Sequence, residues 1–407
     1  MTPAGTNARG RLLDEAALRH HVEWLAALER DTGSPGERAA GARIADILDG
    51  LGHAVQRDVE RVHGTYWWPI GLAAAVGALA GLTRGRVLGT LLGAMGALAN
   101  ADDIAAGPRL LRRLLPDRET VNVWCATGPD DAARTVVVVA HHDAAHSGLV
   151  FEPEVPRAIL RRLPPSLLAR ATTTPPTMWG SVAGPALAAL GSAFGAPALR
   201  RLGGVVSAGY VAAMADIGAR AVVPGANDNA TGVATGLSLA HWLAGDVPAG
   251  VRVLLLFPGA EESFMEGMVA WCDRHLDALD PASTAFVCVD TVGSPALVAL
   301  EGEGMLHMHE YPRDLLELIH AAADELGIAV HRGLRFRNGT DGLIPLKRGY
   351  RSSMLGSIDE FKMPPNYHWP TDTADRVDYG TVADTARLCR RVIERIAAGE
   401  TVLSASR

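Results

Sequence analysis

The chain reads as an α/β protein with a mostly parallel central sheet, helices on both faces, and two apolar helical hairpins interrupting it. Three observations predict this. Short branched apolar runs, Arg134–Ala140 (RTVVVVA), Val251–Phe257 (VRVLLLF) and Ala285–Val289, alternate with segments of helical period. Strands buried on both faces have this unbroken apolar character, and their alternation with helices implies a largely parallel sheet. Each run also stops abruptly at polar or acidic residues: His141-His142-Asp143, Glu261-Glu262 and Asp290. In open α/β sheets the ligand site lies just beyond such carboxyl ends. Finally, two long stretches of the chain carry no charge at all.

Length and composition set the bounds. The 407 residues could hold two or three average domains or one large α/β domain with insertions. The chain is 48% apolar and 20% charged with a net charge of −7, a balance that argues against nucleic-acid binding. Four scattered cysteines, Cys125, Cys272, Cys288 and Cys389, show no C-x-x-C spacing and read as reduced, buried thiols. Met1–Arg11 has no apolar core, so no signal peptide is expected there.

In chain order, Leu13, Ala17, His21, Leu25 and Leu28 recur at helical intervals until Asp31–Gly36 breaks the run. A second helix, Glu37–Leu51, ends at Gly52 as a C-cap. His53–Val62 alternates as a strand, and Thr120–Thr127 and Arg134–Ala140 follow as further strands. A helix is expected over Thr231–Leu243, after Asp228-Asn229. Val251–Phe257 is the central strand and Ala285–Val289 the next. Leu315–Leu326 and Tyr379–Ile396 complete the set as amphipathic helices.

The uncharged stretches come in pairs. Gly64–Thr83 and Val87–Ala101 flank Arg84-Gly85-Arg86, and Ala171–Leu199 and Leu202–Ala215 flank Arg200-Arg201. The first member of each pair is long enough to cross a bilayer and the second is short. Gly77/Gly81, Gly89/Gly93 and Gly191/Gly195 stand at the four-residue spacing that suits close helix packing in lipid. Tyr66, Trp67, Trp68 and Trp179 fit an interfacial aromatic belt. The alternative is a pair of buried hairpins in a soluble protein. A water-soluble helix should show one polar face and these show none, which favours membrane hairpins in contact with lipid. The division expected is therefore 1–63, catalytic domain; 64–105, first hairpin; 106–163, catalytic domain continued; 164–219, second hairpin; 220–407, remainder. Arg109, Arg112, Arg113, Arg157, Arg161, Arg162 and Arg170 outnumber the arginines at the hairpin tips, so the catalytic domain is expected on the cytoplasmic side of an integral membrane protein.

The chemistry concentrates at strand ends. His141 and Asp143, Asp228, Glu261 and Glu262, Asp290 and the late-loop His368 are each weak signals alone. Adjacent carboxylates at the end of an apolar strand repel unless a cation lies between them. One can serve as a metal ligand and the other as a base. Mixed His and carboxylate ligands suit zinc better than calcium or magnesium.

At this point the residues resemble a family, the M28-type zinc aminopeptidases, which are related to glutaminyl cyclases. The carrying motifs are AHHDAAHSG, GANDNATG, GAEESF, FVCVDTVG and NYHWPTDTAD, in that order, with an N-terminal lead-in at Gly33–Gly52. The resemblance implies a zinc aminopeptidase-like fold and two Zn2+ per chain. It implies that Asp228 bridges both ions, that His141 and Asp290 hold one and that Glu262 and His368 hold the other. Glu261 would be the general base, Asp143 the carboxylate orienting His141, and the peptide after Asp228 cis. About eighty-five residues separate His141 from Asp228, most of them the second apolar insertion. The late histidine-bearing motif is replaced by Gly339-Thr340-Asp341-Gly342, and Ala144 stands where the family has serine.

The expected function is a membrane-anchored two-zinc metallopeptidase that removes N-terminal residues from a peptide or aminoacyl substrate. A single-zinc glutaminyl cyclase is the alternative enzyme, and it would make less use of His141. A catalytically silent membrane receptor on the same fold would be expected to have lost a ligand or the base, and none is lost. A transporter fails on the number and shortness of the apolar segments. The sequence assigns no oligomeric state.

Overall fold

The computed structural model describes residues 10–164, 166 and 170–400. Helix α1 (Glu15–Ala26) starts at Asp14, whose carboxylate accepts the Ala17 N–H at 2.9 Å. Helix α2 (Pro35–Gly50) starts at Ser34, whose hydroxyl accepts the Glu37 N–H, with Pro35 at the position where its missing N–H costs nothing. Strand β1 (Val55–Val62) leads into helices α3 (Trp67–Leu82) and α4 (Arg86–Ile104). Strands β2 (Arg118–Thr127) and β3 (Arg134–Val139) follow, then the short helix α5 (Glu154–Leu160), α6 (Trp179–Ala193) and α7 (Pro197–Ala219). Next come α8 (Thr231–Leu243), β4 (Val251–Phe257), α9 (Glu266–His275), β5 (Thr284–Val289) and β6 (Ala296–Ala299). Short strands β7 (Gly302–Glu303) and β8 (His309–Glu310), α10 (Arg313–Leu326), β9 (Val330–His331) and β10 (Arg335–Phe336) precede α11 (Leu343–Lys347), β11 (Arg351–Ile358) and α12 (Tyr379–Ala397).

Eight strands form the main sheet in the order β1-β2-β4-β3-β5-β11-β6-β9. The centre, β4-β3-β5-β11, is parallel. The flank is not: β1 and β2 pair antiparallel and β2 runs antiparallel to β4. β6 is also antiparallel to β11. Of the parallel strands, β3, β4 and β5 are mostly apolar and covered on both faces, whereas β1 alternates because one of its faces meets solvent.

β11 escapes sequence reading. It lies beside β5 at the centre, yet its sequence RSSMLGSI offers no apolar run. Its buried serines instead bond backbone carbonyls, Ser352 to Gly342, Ser353 to Phe286 and Ser357 to Thr291. The cores on the two sheet faces differ. One gathers α1, α2, α8, α10 and α12. The other gathers α9 and α11 with only the near ends of the apolar helices, at Tyr66, Ile70, Ile104, Met214 and Ile217.

Beyond those ends, α3, α4, α6 and α7 pack on one another. A Cβ on Gly93 would fall 2.6 Å from the Ala189 backbone nitrogen, and one on Gly96 would fall 2.6 Å from the Ala73 carbonyl. Gly81 and Gly204 meet backbone to backbone. Gly195 does not pack; it turns the chain between α6 and α7 at φ 68°. The large side chains point outward, with Leu82, Val87, Leu98, Phe194 and Val205 between 70 and 80% exposed. One length expectation is corrected. The residues up to Met178 in the second uncharged stretch are not part of α6, and Thr173 instead bridges Arg335, so α6 has only 15 residues. The one helix long and apolar enough to cross a membrane among the described residues is α7, with 23.

Candidate metal centre

The carboxyl ends of β3, β4 and β5 open on the same side of the sheet, and their polar residues converge there. His141 and Asp143 leave β3. Asp143 is fully buried and binds in three directions: it accepts the Thr32 hydroxyl at 2.7 Å and the backbone N–H groups of Glu261 and Glu262 at 3.1 Å each. Its Oδ1 lies 3.3 Å from His141 Nδ1. Burial pushes its carboxyl up, but the neighbouring His141 and the Thr32 hydroxyl hold it below the ordinary range, so it is an anion that fixes both the imidazole and the Glu pair.

Asp228 stands at the start of α8, and the Asp228–Asn229 peptide is cis, as the family resemblance implies. Asp372 anchors this turn by accepting the N–H groups of Asn227 at 2.8 Å and Asp228 at 3.1 Å. Asn229 ties it to the end of β5: its Nδ2 donates to the Val289 carbonyl and its Oδ1 accepts the Thr291 N–H. The two oxygens of Asp228 therefore face apart. Oδ1 is 3.4 Å from His141 Nε2, and Oδ2 is 3.3 Å from His368 Nε2.

Around this carboxylate the remaining residues fall on two sides. Asp290 Oδ2 is 3.9 Å from His141 Nε2, and Glu262 Oε2 is 3.2 Å from His368 Nε2. Glu261 Oε2 is 4.0 Å from His141 Nε2. Three groups have ligand atoms close enough together to hold a metal ion: His141, Asp228 and Asp290; Asp228, Glu262 and His368; and His141, Glu261 and Glu262. His368 has a backbone φ of 51°, its ring stacked on Tyr367 at 3.8 Å and edge-on to Phe151 at 4.6 Å. All seven residues expected from sequence meet here. His142 is buried away from them, and burial drives its imidazole down to about 4, a neutral structural residue.

The charge balance is one-sided. Burial and the neighbouring Asp228 push Asp290 up to about 7, and burial raises Glu261 well above the carboxylate range. Burial would lower His368, but Glu262 and Asp228 raise it to about 10. His141 Nε2 and Glu262 Oε1 are buried without a hydrogen-bond partner. Unpartnered donor atoms among surplus carboxylates fit a cation, since metal ligands must give up protons to bind.

Sequence reading missed the supports. Arg30, fully buried, donates to the carbonyls of His142, Leu25 and Gly225 and so ties the β3 loop to the turn before Asp228. Glu37 accepts the Ala260 N–H at 3.0 Å and fixes the turn before Glu261. Asp341 is buried beside the site with both oxygens unpartnered, and burial raises its carboxyl well above the ordinary range. Arg30 lies between α1 and α2 and Glu37 in the first turn of α2, with no strand-end signal, while Asp341 stands in the position that departs from the family pattern.

Solved structures place the fold. An aminopeptidase from Aneurinibacillus sp. strain AM-1 superposes with a TM-score of 0.55 at 14% identity, over 94% of this chain and 93% of that one. A Zn-dependent exopeptidase from Parabacteroides distasonis gives 0.55 at 13% identity, over 95% and 99%. A glutaminyl cyclase from Bacteroides thetaiotaomicron gives 0.56 at 14% identity, over 95% and 99%. The chain thus has the zinc aminopeptidase-like α/β fold. By sequence, the model of Peptidase family M28 matches residues 205–393. That span holds Asp228, Glu261, Glu262, Asp290 and His368 and begins after His141 and Asp143. A search of curated protein sequences gave no match.

Proposed function

We propose that the protein is a membrane-anchored two-zinc metallopeptidase that removes N-terminal residues from peptides or aminoacyl compounds. The observation that carries the two-ion reading is the divergence of the Asp228 oxygens toward His141 on one side and His368 on the other. His141 and Asp290 would hold one ion, Glu262 and His368 the other, with Asp228 shared. Zinc in such a site supplies Lewis acidity, polarising water and the scissile carbonyl and offsetting the oxyanion charge. The chain's own residues do the rest. Glu261 belongs to neither ligand set; it takes the proton of the attacking water and hands it to the leaving amine. Asp143 acts through others: it holds the backbone of both glutamates and sets the His141 ring.

Anchoring is supported by the bundle of α3, α4, α6 and α7. Only its near ends pack against the α/β core, while its outward surface is apolar. A contiguous apolar surface of this extent calls for a partner, and lipid fits the absence of any polar face. The arginine distribution supports a catalytic domain facing the cytoplasm.

One observation favours a second reading. The Asp228–Glu262–His368 contacts, 3.2 and 3.3 Å, are tighter than that of Asp290 to His141, which suits a single-ion glutaminyl cyclase. Zinc content per chain, measured with products from a peptide library, separates them. Two zincs and released free amino acids support the peptidase. One zinc and cyclised N-terminal glutamine would replace it.

A further inference from the structure

Away from the metal centre, a cavity of about 470 Å3 opens at the foot of α4, between Ala106–Arg109, the end of β1, α9 and α11. Five cations line it, Arg61, Arg109, Arg113, Lys347 and Arg348, against two carboxylates. Both carboxylates are already engaged. Glu266 pairs with Arg112 at 2.9 Å and accepts the N–H groups of His63 and Gly64, and Asp273 pairs with Arg348 at 2.6 Å. Arg61 pairs with Asp117 outside the cavity. Among the described residues Arg109, Arg113 and Lys347 have no carboxylate within 4.0 Å.

Arg109 forms the buried wall of the cavity. It is 9% exposed, and its Nε is buried without a hydrogen-bond partner while one terminal nitrogen donates to the Phe264 carbonyl. That Nε is closed off from solvent, so the charge an acceptor in the cavity can reach is that of the exposed Arg113 and Lys347. Burial and the neighbouring Arg112 press the Arg109 guanidinium down to about 10. Burial with Arg109 and Arg348 presses Lys347 down as well. Glu266, Asp103 and Asp102 offset part of this at Arg109, and Lys347 also donates to the Ala105 carbonyl, but the cations outnumber the carboxylates that line the cavity.

The position names the source. The exposed apolar side of α4 ends at Leu98, and the cavity begins eight residues on, roughly 12 Å along a helix axis. Leu110 and Leu114, next to Arg109 and Arg113, are 61 and 82% exposed. Apolar side chains alternating with arginines at the end of a membrane helix suit the headgroup layer. Arginine forks and a lysine point charge are the side chains that recognise phosphate. We propose that this cavity binds the phosphate of an anionic lipid headgroup seated at the foot of α4. The proposal rests on the membrane reading for its source of phosphate and on nothing in the peptidase chemistry.

The test uses the full chain in neutral detergent, with thermal unfolding and native mass spectrometry as readouts. Short-chain phosphatidylglycerol should raise Tm saturably by a few degrees and remain bound in a one-to-one adduct, while phosphatidylcholine of the same chain length should do neither. Arg113→Glu with Lys347→Glu should abolish the shift and the adduct, and Arg113→Gln, a milder change on an exposed side chain, should weaken both. Equal effects of the two lipids, or an unchanged adduct in both variants, would overturn the site. If inorganic phosphate alone at the same concentration reproduced the full shift, the lipid source would be overturned and a soluble phosphate compound would take its place. None of these readouts depends on peptide hydrolysis, so a failed peptidase assignment leaves the result interpretable.

Discussion

Asp143 shows how much of the centre depends on side chains that touch no substrate. It lies against His141 and accepts the backbone N–H groups of Glu261 and Glu262, so the proposed ligands and the proposed base are positioned by one buried carboxylate. The proposal divides the work between the adjacent glutamates, and substitution tests that division. Glu261→Gln should keep its metal and lose hydrolysis by roughly a hundredfold or more, because it removes only the proton carrier. Glu262→Ala should lose metal. Metal analysis beside kcat for each variant checks the division, and a Glu261→Gln enzyme at wild-type rate would reverse it. A second residue-scale expectation concerns Glu303, fully buried on β7, where it accepts the Tyr311 hydroxyl at 2.6 Å. Burial pushes its carboxyl from 4.5 up to about 8. Through that window the folded chain keeps a proton that the unfolded chain releases. Stability should therefore fall as pH rises from about 4.5 to about 8 and level off above. Glu303→Gln should flatten this dependence in denaturation curves taken across the window.

Elements differ in how openly the sequence announces them. α8 and β4 have the boundaries expected from periodicity and branched apolar runs, because their neighbours on both sides are apolar. β11 was hidden because serines bonded to carbonyls fill much of it and break up its buried Met354, Leu355 and Ile358, so no continuous apolar run marks the strand. Most of the site was legible for the same reason as the central strands, since His141, Asp143, Glu261, Glu262 and Asp290 follow the ends of apolar runs, while Asp228 and His368 were found through the motifs that carry the resemblance. Arg30, Glu37 and Asp372 were not, since each acts on backbone groups distant in sequence. In the bundle, the glycine spacing did carry information, because it matches the one-turn repeat of helix contacts. Gly93→Leu should therefore destabilise the protein by overpacking, about 1–3 kcal/mol, since even its Cβ would meet the Ala189 backbone. Leu91→Ala, on the exposed side of the same helix, should leave Tm in detergent nearly unchanged.

At the scale of the whole molecule, a mildly acidic α/β fold carries a bundle whose outer surface is apolar. Among the described residues α7 alone is both long and apolar enough for a full crossing, at ~34 Å; α4 reaches ~28 Å, and α3 and α6 only ~24 and ~22 Å. Helices this short can lie in a bilayer of ~30 Å hydrocarbon thickness only by thinning it locally or by packing within the bundle. The glycine contacts provide the latter. Two measurements follow. The protein should sediment with membranes and resist extraction by high salt or alkaline carbonate, yielding only to detergent. Topology can then be read with a thiol probe, because all four native cysteines are buried. Arg84 is exposed at the turn between α3 and α4, the end of the bundle remote from the sheet. With the catalytic domain in the cytoplasm, an Arg84→Cys chain should react with a membrane-impermeant maleimide on intact cells, and wild type should not. Labelling only after lysis would reverse the orientation, and recovery of the protein in the soluble fraction without detergent would remove the membrane reading while leaving the metal centre as it stands.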